Sequence, residues 1–275
     1  MSVATPRPPK PQTVLTVDRT EWLSPTMVRI VASAPSLGPF EASTFTDKYV
    51  KILFAKPELG LVPPYDLAAL KQQLQPADLL VTRTYTVRSV DPETGQLSID
   101  FVVHGDEGIA GPWAAAAKAG DTLAVTGPGG AYAPDESAGW HLFAGDESAL
   151  PAIASALERL PGNARGAVYL EVEAETDRQS LRTPAGVVVH WLFRAGQPAS
   201  AGTLADAIHK APWPEGRVQV FAHGERESMK LLRDIFFTQR GLDRSQVSLS
   251  GYWARGRTED RFQAEKREPI GQILN

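Results

Sequence analysis

The chain has 275 residues, 43% of them hydrophobic, a formal net charge of −4 and no cysteine. That length allows one large domain or two ordinary ones, and the mild negative charge gives no basis for nucleic acid or an acidic membrane as a partner. Without cysteine there are no disulfides and no cysteine-ligated metal or iron–sulfur sites. Any redox chemistry must therefore come from a bound organic cofactor or from the substrate.

We expect neither a membrane span nor a secretory signal. No apolar run approaches the length of a membrane span, and the proline-rich start, residues 1–13, lacks the apolar core of a secretory signal. We interpret this start as a loose arm, and we expect a cytoplasmic monomer with no membrane partner.

The first half of the chain consists of short alternating segments separated by turn residues, a pattern typical of strands. A short helix is predicted over 66–74, inside a proline-bearing insertion at 57–76, and a second helix opens at Gly111-Pro112, because proline suits the first helical position. Short strands at close spacing predict an antiparallel barrel. The predicted strands cover residues 13–17, 27–31, 49–54, 79–90, 96–103 and 122–126.

The composition becomes polar and proline-bearing near residues 134–137, which we interpret as a domain boundary. We therefore expect two domains, residues 12–133 and 138–275, the second ending in a C-terminal tail or helix. Beyond the boundary, strands alternate with helices, which predicts a parallel sheet with helices on its faces. The predicted strands are 140–144, 166–172, 187–192, 217–222 and 247–251, and the predicted helices 149–159, 203–211 and 225–240.

One strand is dense in functional side chains. Alternation places Arg83 and Tyr85 on one face and Thr84 and Thr86 on the other. Arginine can bind a phosphate through paired N–H donors, tyrosine can lie against a ring system and threonine can hydrogen-bond a ring nitrogen. The strand therefore suits an anionic, planar ligand, and a surface strand with solvated arginines is the alternative that these residues leave open.

Several elements of the sequence resemble, in order and spacing, those of the siderophore-interacting proteins, a branch of the ferredoxin–NADP reductase-like flavoenzymes. The resemblance covers about residues 14–268. It implies an antiparallel β-barrel FAD domain followed by an α/β parallel-sheet, Rossmann-like NAD(P)-binding domain. The matching elements are Arg83-x-Tyr85-Thr86, His104-Gly105, Gly111-Pro112-Trp113-Ala114, Gly127-Pro128, residues 144–153 and residues 251–259.

The resemblance implies roles for the central strand. Arg83 would contact the FAD pyrophosphate, Tyr85 would pack on the isoalloxazine ring, and Thr86 would lie near the N5 edge of the ring, with Thr84 beside them. Hydride arrives at N5, so a donor there would orient the flavin.

The resemblance implies further FAD contacts along the barrel, at His104 and at the helix that opens at Gly111. The alternatives are that His104 is a histidine bonded to backbone at the end of a strand and that the helix start binds no ligand. The helix start offers free N–H groups that suit a pyrophosphate. Many family members carry Gly-Pro-Arg-Gly-Ser near the end of the barrel, whereas residues 127–131 here read Gly-Pro-Gly-Gly-Ala. The missing arginine puts one phosphate or substrate contact in doubt, although glycines permit close approach of a ligand. The implied FAD-binding residues are Val102, Val103, His104, Gly111, Trp113, Ala114 and Gly127.

A second site follows the first strand of the α/β half. Gly145, Asp146, Glu147 and Ser148 lie where a strand passes into a helix, the position at which open parallel sheets bind ligands. The resemblance implies that Ser148 contacts the nicotinamide end of the dinucleotide, and a simple N-cap by Ser148 or Asp146 is the alternative. The Gly-x-Gly-x-x-Gly fingerprint is absent.

Two more strand ends complete this site by resemblance. Gly224 and Glu225 follow another strand and would lie close to the cofactor. The alternative is that Glu225 only stabilises the N-terminus of the following helix by its negative charge. Tyr252 and Trp253 would shield the flavin or pack the tail against its domain, although aromatic residues at a strand end are also common in cores.

A third site is basic. Ferric siderophores are commonly anionic, so a positive opening would collect them by charge. The resemblance suggests Lys48, Lys266 and Arg257 as substrate-binding residues, with a solvated charged surface as the alternative. No cluster of histidines and carboxylates suggests a resident metal.

Together these features imply a ferric-siderophore reductase in which FAD takes hydride from NADPH or NADH and passes single electrons to Fe(III). No general acid or base is nominated. Iron(II) would then leave, because hard oxygen ligands favour the harder ion. A flavin reductase that uses ferredoxin as donor, or another acceptor, and a non-catalytic siderophore or flavin carrier remain alternatives. NADH and NADPH are not distinguished, because the sequence does not place the pocket for the adenosine ribose.

Overall fold

The computed structural model describes residues 11–196 and 200–274, so most of the predicted N-terminal arm lies outside the described residues. The strands are β1 (Gln12–Ser24), β2 (Met27–Ser33), β3 (Tyr49–Phe54), β4 (Val81–Asp91), β5 (Gln96–Val102), β6 (Thr122–Gly129), β7 (Trp140–Asp146), β8 (Arg165–Val172), β9 (Gly186–Phe193), β10 (Val218–Glu225) and β11 (Val247–Trp253). The α-helices are α1 (Gly38–Glu41), α2 (Leu67–Gln73), α3 (Ala110–Ala116), α4 (Leu150–Glu158), α5 (Gly202–Lys210), α6 (Arg226–Arg233) and α7 (Glu259–Glu265).

The first six strands form a closed antiparallel barrel in the order β1-β2-β5-β4-β3-β6, which confirms the predicted barrel. Strand β1 is longer than predicted because it has two partners: its first residues pair with β6 and its later residues with β2. A bulge between Val17 and Arg19 marks the change of partner, and a bulge bends a strand. This bend lets one strand close the ring.

The barrel is filled by alternate residues of its strands together with two short helices. Helix α1 contributes Phe40, which is fully buried. Helix α3 places Trp113 against Phe54 and Phe101, with ring centroids 5.7 and 5.9 Å apart. Phe101 also contacts Tyr85 at 4.3 Å, so the strand that carries Tyr85 rests directly on the core.

The second half is a five-stranded parallel sheet in the order β11-β10-β7-β8-β9, as the strand–helix alternation predicts. Buried apolar side chains cover both faces of the sheet. The helix predicted over 225–240 differs in detail: β10 continues to Glu225, α6 begins at Arg226, and a π-helical turn runs from Asp234 to Gln239.

Helix α4 of the sheet domain packs on β4 of the barrel. The Ser155 hydroxyl donates to the Arg88 carbonyl at 2.6 Å, and the Arg88 guanidinium binds both carboxylate oxygens of Glu158, at 3.0 and 2.5 Å. Asp177 adds a second contact by accepting from the Thr26 hydroxyl at 2.6 Å. The two domains therefore meet through specific polar contacts.

The described part of the chain has neither a membrane-spanning helix nor a cluster of metal ligands. No helix there has both the length and the apolar character needed to cross a bilayer. No group of three or more histidine, aspartate or glutamate side chains there is arranged to hold a metal ion.

We expect Phe101→Ala to lower the free energy of unfolding by about 3–5 kcal/mol, because it removes a fully buried ring that supports both Tyr85 and Trp113. Chemical denaturation measures this loss. Phe193→Ala, at a position 39% exposed, is the matched control and should cost much less. Equal losses in the two variants would show that the Phe101 ring does not support the barrel core.

Candidate functional site

The barrel has an opening between β4 and β5. Pairing between these strands runs from Asp91 and Gln96 to Val87 and Ile99. In the described register, residues 83–86 pair with β3 and residues 100–102 pair with β2, but these two segments do not pair with each other. Main-chain N–H and C=O groups in such an opening are available to a ligand. The implied flavin strand thus has the open edge that a cofactor requires.

The side chains of this strand follow the predicted alternation. Tyr85 packs inward, and burial raises its pKa to about 12. Thr86 is 6% exposed, whereas Thr84 is exposed and lies beside Lys51 on β3. The Arg83 guanidinium binds the Asp260 carboxylate of α7 at 3.0 Å. Because Asp260 is 74% exposed, this is a weak surface pair that a phosphate could replace.

The segment across the opening contains the other implied FAD residues. Val102 and Val103 are half-buried, and His104 is exposed just after the strand. A side chain at Gly111 would meet the Val102 carbonyl at 3.1 Å, so the start of α3 lies close to the end of β5. Ala114 is fully buried on the inner face of α3. Val102, Val103 and His104 therefore border the opening with the start of α3 beside it, whereas Ala114 faces the barrel core.

The glycine stretch of β6 is occupied by other side chains. A Cβ atom at Gly130 would fall 2.7 Å from that of Phe45, and the Tyr49 ring covers Gly129. Gly127 lies against the Tyr49 carbonyl. The glycines thus accommodate the Phe45 and Tyr49 side chains, and the cofactor contact at Gly127 stays a prediction.

Asp146 joins three strand ends at the carboxyl edge of the sheet. Its Oδ1 accepts from the Ser148 N–H at 2.9 Å and the Ser148 hydroxyl at 2.5 Å. Its Oδ2 accepts from the Glu225 N–H and from the Trp253 indole N–H, both at 2.8 Å. With four donors and 4% exposure, Asp146 shapes this edge of the sheet, and its contact with the cofactor stays a prediction.

Two glycines make this arrangement possible. A Cβ atom at Gly145 would fall 2.7 Å from the His223 carbonyl, so only glycine permits the close approach of β7 and β10. Gly224 has a φ of +150°, and a Cβ atom there would fall 2.7 Å from Asp146 Oδ2. Both positions therefore require glycine for packing at the strand ends.

The two glutamates implied at this site are also engaged. Glu147 is 5% exposed and binds the Arg194 guanidinium with both oxygens. Glu225 Oε2 accepts the N–H groups of Glu227 and Ser228 at the start of α6, and its Oε1 accepts from the Arg255 N–H at 3.1 Å. Glu225 thus fills the capping role that we gave as the alternative.

Tyr252, at the end of β11, connects the two domains. Its hydroxyl lies 2.9 Å from His223 Nδ1. Burial raises the pKa of Tyr252, and a hydrogen bond with the Thr86 side chain offsets part of that rise.

The implied substrate residues have different surroundings. Arg257 donates to Glu265 at 2.7 Å, together with Arg226 at 2.6 Å and Arg261 at 2.8 Å. These three arginines lower the pKa of Glu265 to about 2, Arg226 most strongly. Arg257 thus anchors the tail helix.

The two lysines lie near the surface. Lys48 donates to the Phe45 carbonyl at 2.6 Å, and burial lowers its pKa. Lys266 lies 4.6 Å above the Phe262 ring. Burial lowers the pKa of Lys266, and the nearby charge of Lys51 lowers it further, against Glu259. Lys266 is thus exposed, whereas Lys48 is half-buried.

Sequence reasoning missed three features of this site: the Arg194 ion pairs, the burial of Glu265 among arginines, and the bond between Asp146 and Trp253. The last pair is 107 residues apart. No local pattern signals such contacts, because they depend on which strands become neighbours.

Comparison with known proteins gives the class of protein that this fold and site define. The family model for the siderophore-interacting FAD-binding domain matches residues 16–132, and the siderophore-interacting protein model matches residues 138–256. The matched ranges coincide closely with the barrel and the sheet.

Three relatives support the same assignment. The ferric vibriobactin reductase ViuB of Vibrio cholerae is 33% identical over 90% of this chain and 91% of its own. The NADPH-dependent ferric-chelate reductase of Escherichia coli is 29% identical over 87% and 91%. The crystal structure of the siderophore-interacting protein SipS from Aeromonas hydrophila superposes with a TM-score of 0.79 at 29% identity, covering 96% of this chain and 99% of that one.

The chain belongs to the siderophore-interacting protein family, as the motifs predict. It is an FAD-binding oxidoreductase with the two-domain architecture of that family. The roles of the individual site residues remain predictions.

We expect Asp146→Asn to lower the free energy of unfolding by about 1.5–3 kcal/mol. Each Asp146 oxygen accepts from two donors, so either orientation of the amide would turn its NH₂ group toward donors. Denaturant titration measures the loss. Asp206→Asn, at an exposed position on α5, is the control, and a loss no larger than that of the control would contradict the prediction.

The low pKa of Glu265 predicts a pH-dependent contribution to stability. Its pKa falls from an ordinary 4.5 to about 2 on folding, so its stabilising effect is complete above pH 4.5 and disappears as the pH falls toward 2. The gap in melting temperature between the wild type and Glu265→Gln should therefore narrow over that interval. Glu268→Gln, at a more exposed position, should show no such gap. A gap for Glu265→Gln that is constant with pH would refute this assignment.

Proposed function

We propose that the protein is a ferric-siderophore reductase of the cytoplasm, with NAD(P)H as electron donor and a ferric siderophore as acceptor. Bound FAD supplies the redox chemistry, because it accepts a hydride and can release the two electrons one at a time. Per turnover, NAD(P)H loses a hydride and two Fe(III) ions each gain one electron, with one proton released.

The packing of helix α4 on strand β4, through the Ser155–Arg88 and Arg88–Glu158 contacts, is the observation that carries this proposal. It brings the carboxyl edge of a parallel sheet, where dinucleotides bind, against the open strand of the barrel. A donor in the sheet and a flavin on the barrel would then share one boundary. The relatives named as ferric vibriobactin and ferric-chelate reductases support the choice of acceptor.

The residues of this chain would bind and orient. Tyr85 offers its ring as a support for the flavin, and Thr86 offers a hydroxyl at the domain boundary. Arg83 supplies a guanidinium for the pyrophosphate once Asp260 is displaced. Electron transfer to the chelated iron needs no proton-transferring side chain, so we assign no general acid or base.

Anaerobic stopped-flow spectroscopy tests the proposal. The purified protein should be yellow and should release FAD. NADH or NADPH should bleach the flavin band, and a ferric siderophore should restore it. If reduced ferredoxin but neither pyridine nucleotide bleaches the flavin, ferredoxin is the electron donor instead of NAD(P)H. If the ferric chelate binds but does not reoxidise the reduced flavin, the protein is a carrier.

We further expect Lys51→Gln and Lys266→Gln each to weaken binding of an anionic ferric siderophore about twofold to fivefold, because an exposed charge pair contributes up to about 1 kcal/mol. The loss should diminish at high salt. Quenching of protein fluorescence measures the affinity. Lys71→Gln, at an exposed position of the 57–76 insertion, is the control, and equal effects of all three variants would argue against a basic opening at Lys51 and Lys266.

A further inference from the structure

The strand next to β7 carries a carboxylate just beyond its carboxyl end. Strand β8 follows β7 in the chain and pairs with it, with Asp146 opposite Glu171. Glu173 lies two residues further on. In dinucleotide-binding sheets, the residue near the end of the second strand contacts the adenosine ribose: a carboxylate binds the free 2′-hydroxyl, and an arginine binds a 2′-phosphate. Glu173 is therefore a carboxylate at the position where a free 2′-hydroxyl would be bound.

The guanidinium nearest to this position is that of Arg194, which follows β9. Its Nη atoms bind the two carboxylate oxygens of Glu147, and its Nε donates to Glu173 at 3.1 Å. Glu171 lies 3.6 Å away. The Arg194 side chain is only 11% exposed. Its donors therefore point at carboxylates inside the edge, rather than outward toward a phosphate.

Glu173 is the exposed member of this group. Its side chain is 43% exposed, whereas Glu147 and Glu171 are buried and burial raises the pKa of both. The Glu173 Oε2 accepts from Arg194, and its Oε1 accepts from the Gly196 N–H at 3.0 Å. These two bonds hold the carboxylate in place at the rim, where the ribose would arrive.

We propose that Glu173 makes the reductase selective for NADH over NADPH. A 2′-phosphate carries a charge of about −1.5 to −2 at neutral pH, and Glu173 would repel it, whereas the Arg194 guanidinium is only 11% exposed and is turned toward carboxylates. This inference rests on the proposed function, and it gives the chain the opposite preference to that in the name of the E. coli relative. Glu173 acts here as a specificity-determining residue.

The test uses the FAD-loaded protein and two fragments without nicotinamide, ADP-ribose and 2′-phospho-ADP-ribose, so that binding is measured without any reaction. Isothermal titration calorimetry should show ADP-ribose binding about tenfold or more tightly. Glu173→Gln keeps an oxygen for the Gly196 N–H and removes the charge. It should therefore reduce the difference in affinity between the two fragments, mainly because 2′-phospho-ADP-ribose binds more tightly. Glu173 is partly exposed, and a melting curve verifies that the variant is folded.

Glu175→Gln is the matched control, because Glu175 lies two residues further on, is 79% exposed and pairs with Arg178 instead of Arg194. It should leave the ratio of affinities unchanged. The proposal would be overturned if the wild type bound 2′-phospho-ADP-ribose as tightly as ADP-ribose or more tightly. It would also be overturned if both variants reduced the difference in affinity equally, or if neither fragment showed saturable binding. Bleaching of the flavin by saturating NADH and NADPH is recorded separately. Its absence with both donors counts against the proposed function, whereas a wrong ratio with intact bleaching counts against Glu173 alone.

Discussion

The packing of α4 against β4 determines where the two halves of the site lie. Helix α4 follows directly from the turn at residues 145–148, and β4 carries the open segment at residues 83–86. Bidentate pairing between Arg88 and Glu158, with Arg88 only 14% exposed, is stronger than an ordinary surface pair. Because the helix has nine residues, or about 14 Å of length, the contact holds the turn within a short distance of the strand. The barrel and the sheet thus present their ligand-binding edges to each other.

Three acidic residues near the strand ends and in the tail accept hydrogen bonds from other groups of the protein. Asp146 joins three strands, Glu225 caps α6 and Glu265 gathers three arginines of the tail region. A buried carboxylate is costly unless its oxygens are satisfied, and each of these three accepts at least three hydrogen bonds. Their charges are therefore balanced inside the fold, and they fix backbone positions around the cofactors.

The sequence predicted the barrel and the parallel sheet because both rest on local periodicity, two residues for strands and strand–helix alternation for the sheet. It did not predict that β1 closes the barrel with β6, or that β10 extends through Gly224 to Glu225 before α6 begins. Those features depend on partners far along the chain. For the same reason the motif residues were found but their contacts were not: Asp146 meets Trp253 only once the sheet has formed, and Arg88 meets Glu158 only once the domains have packed.

The domain boundary contains a hydrogen-bonded chain without a titrating charge. The Tyr252 hydroxyl bonds to His223 Nδ1, and His223 Nε2 bonds to the Ser248 hydroxyl at 3.0 Å. Burial lowers the pKa of His223 to about 3, so the imidazole stays neutral across physiological pH, with one ring nitrogen as donor and the other as acceptor. Hydroxyl, imidazole and hydroxyl can then reverse the direction of all their hydrogen bonds together. The ends of β10 and β11 are therefore joined by a polar chain in which no charge changes across physiological pH.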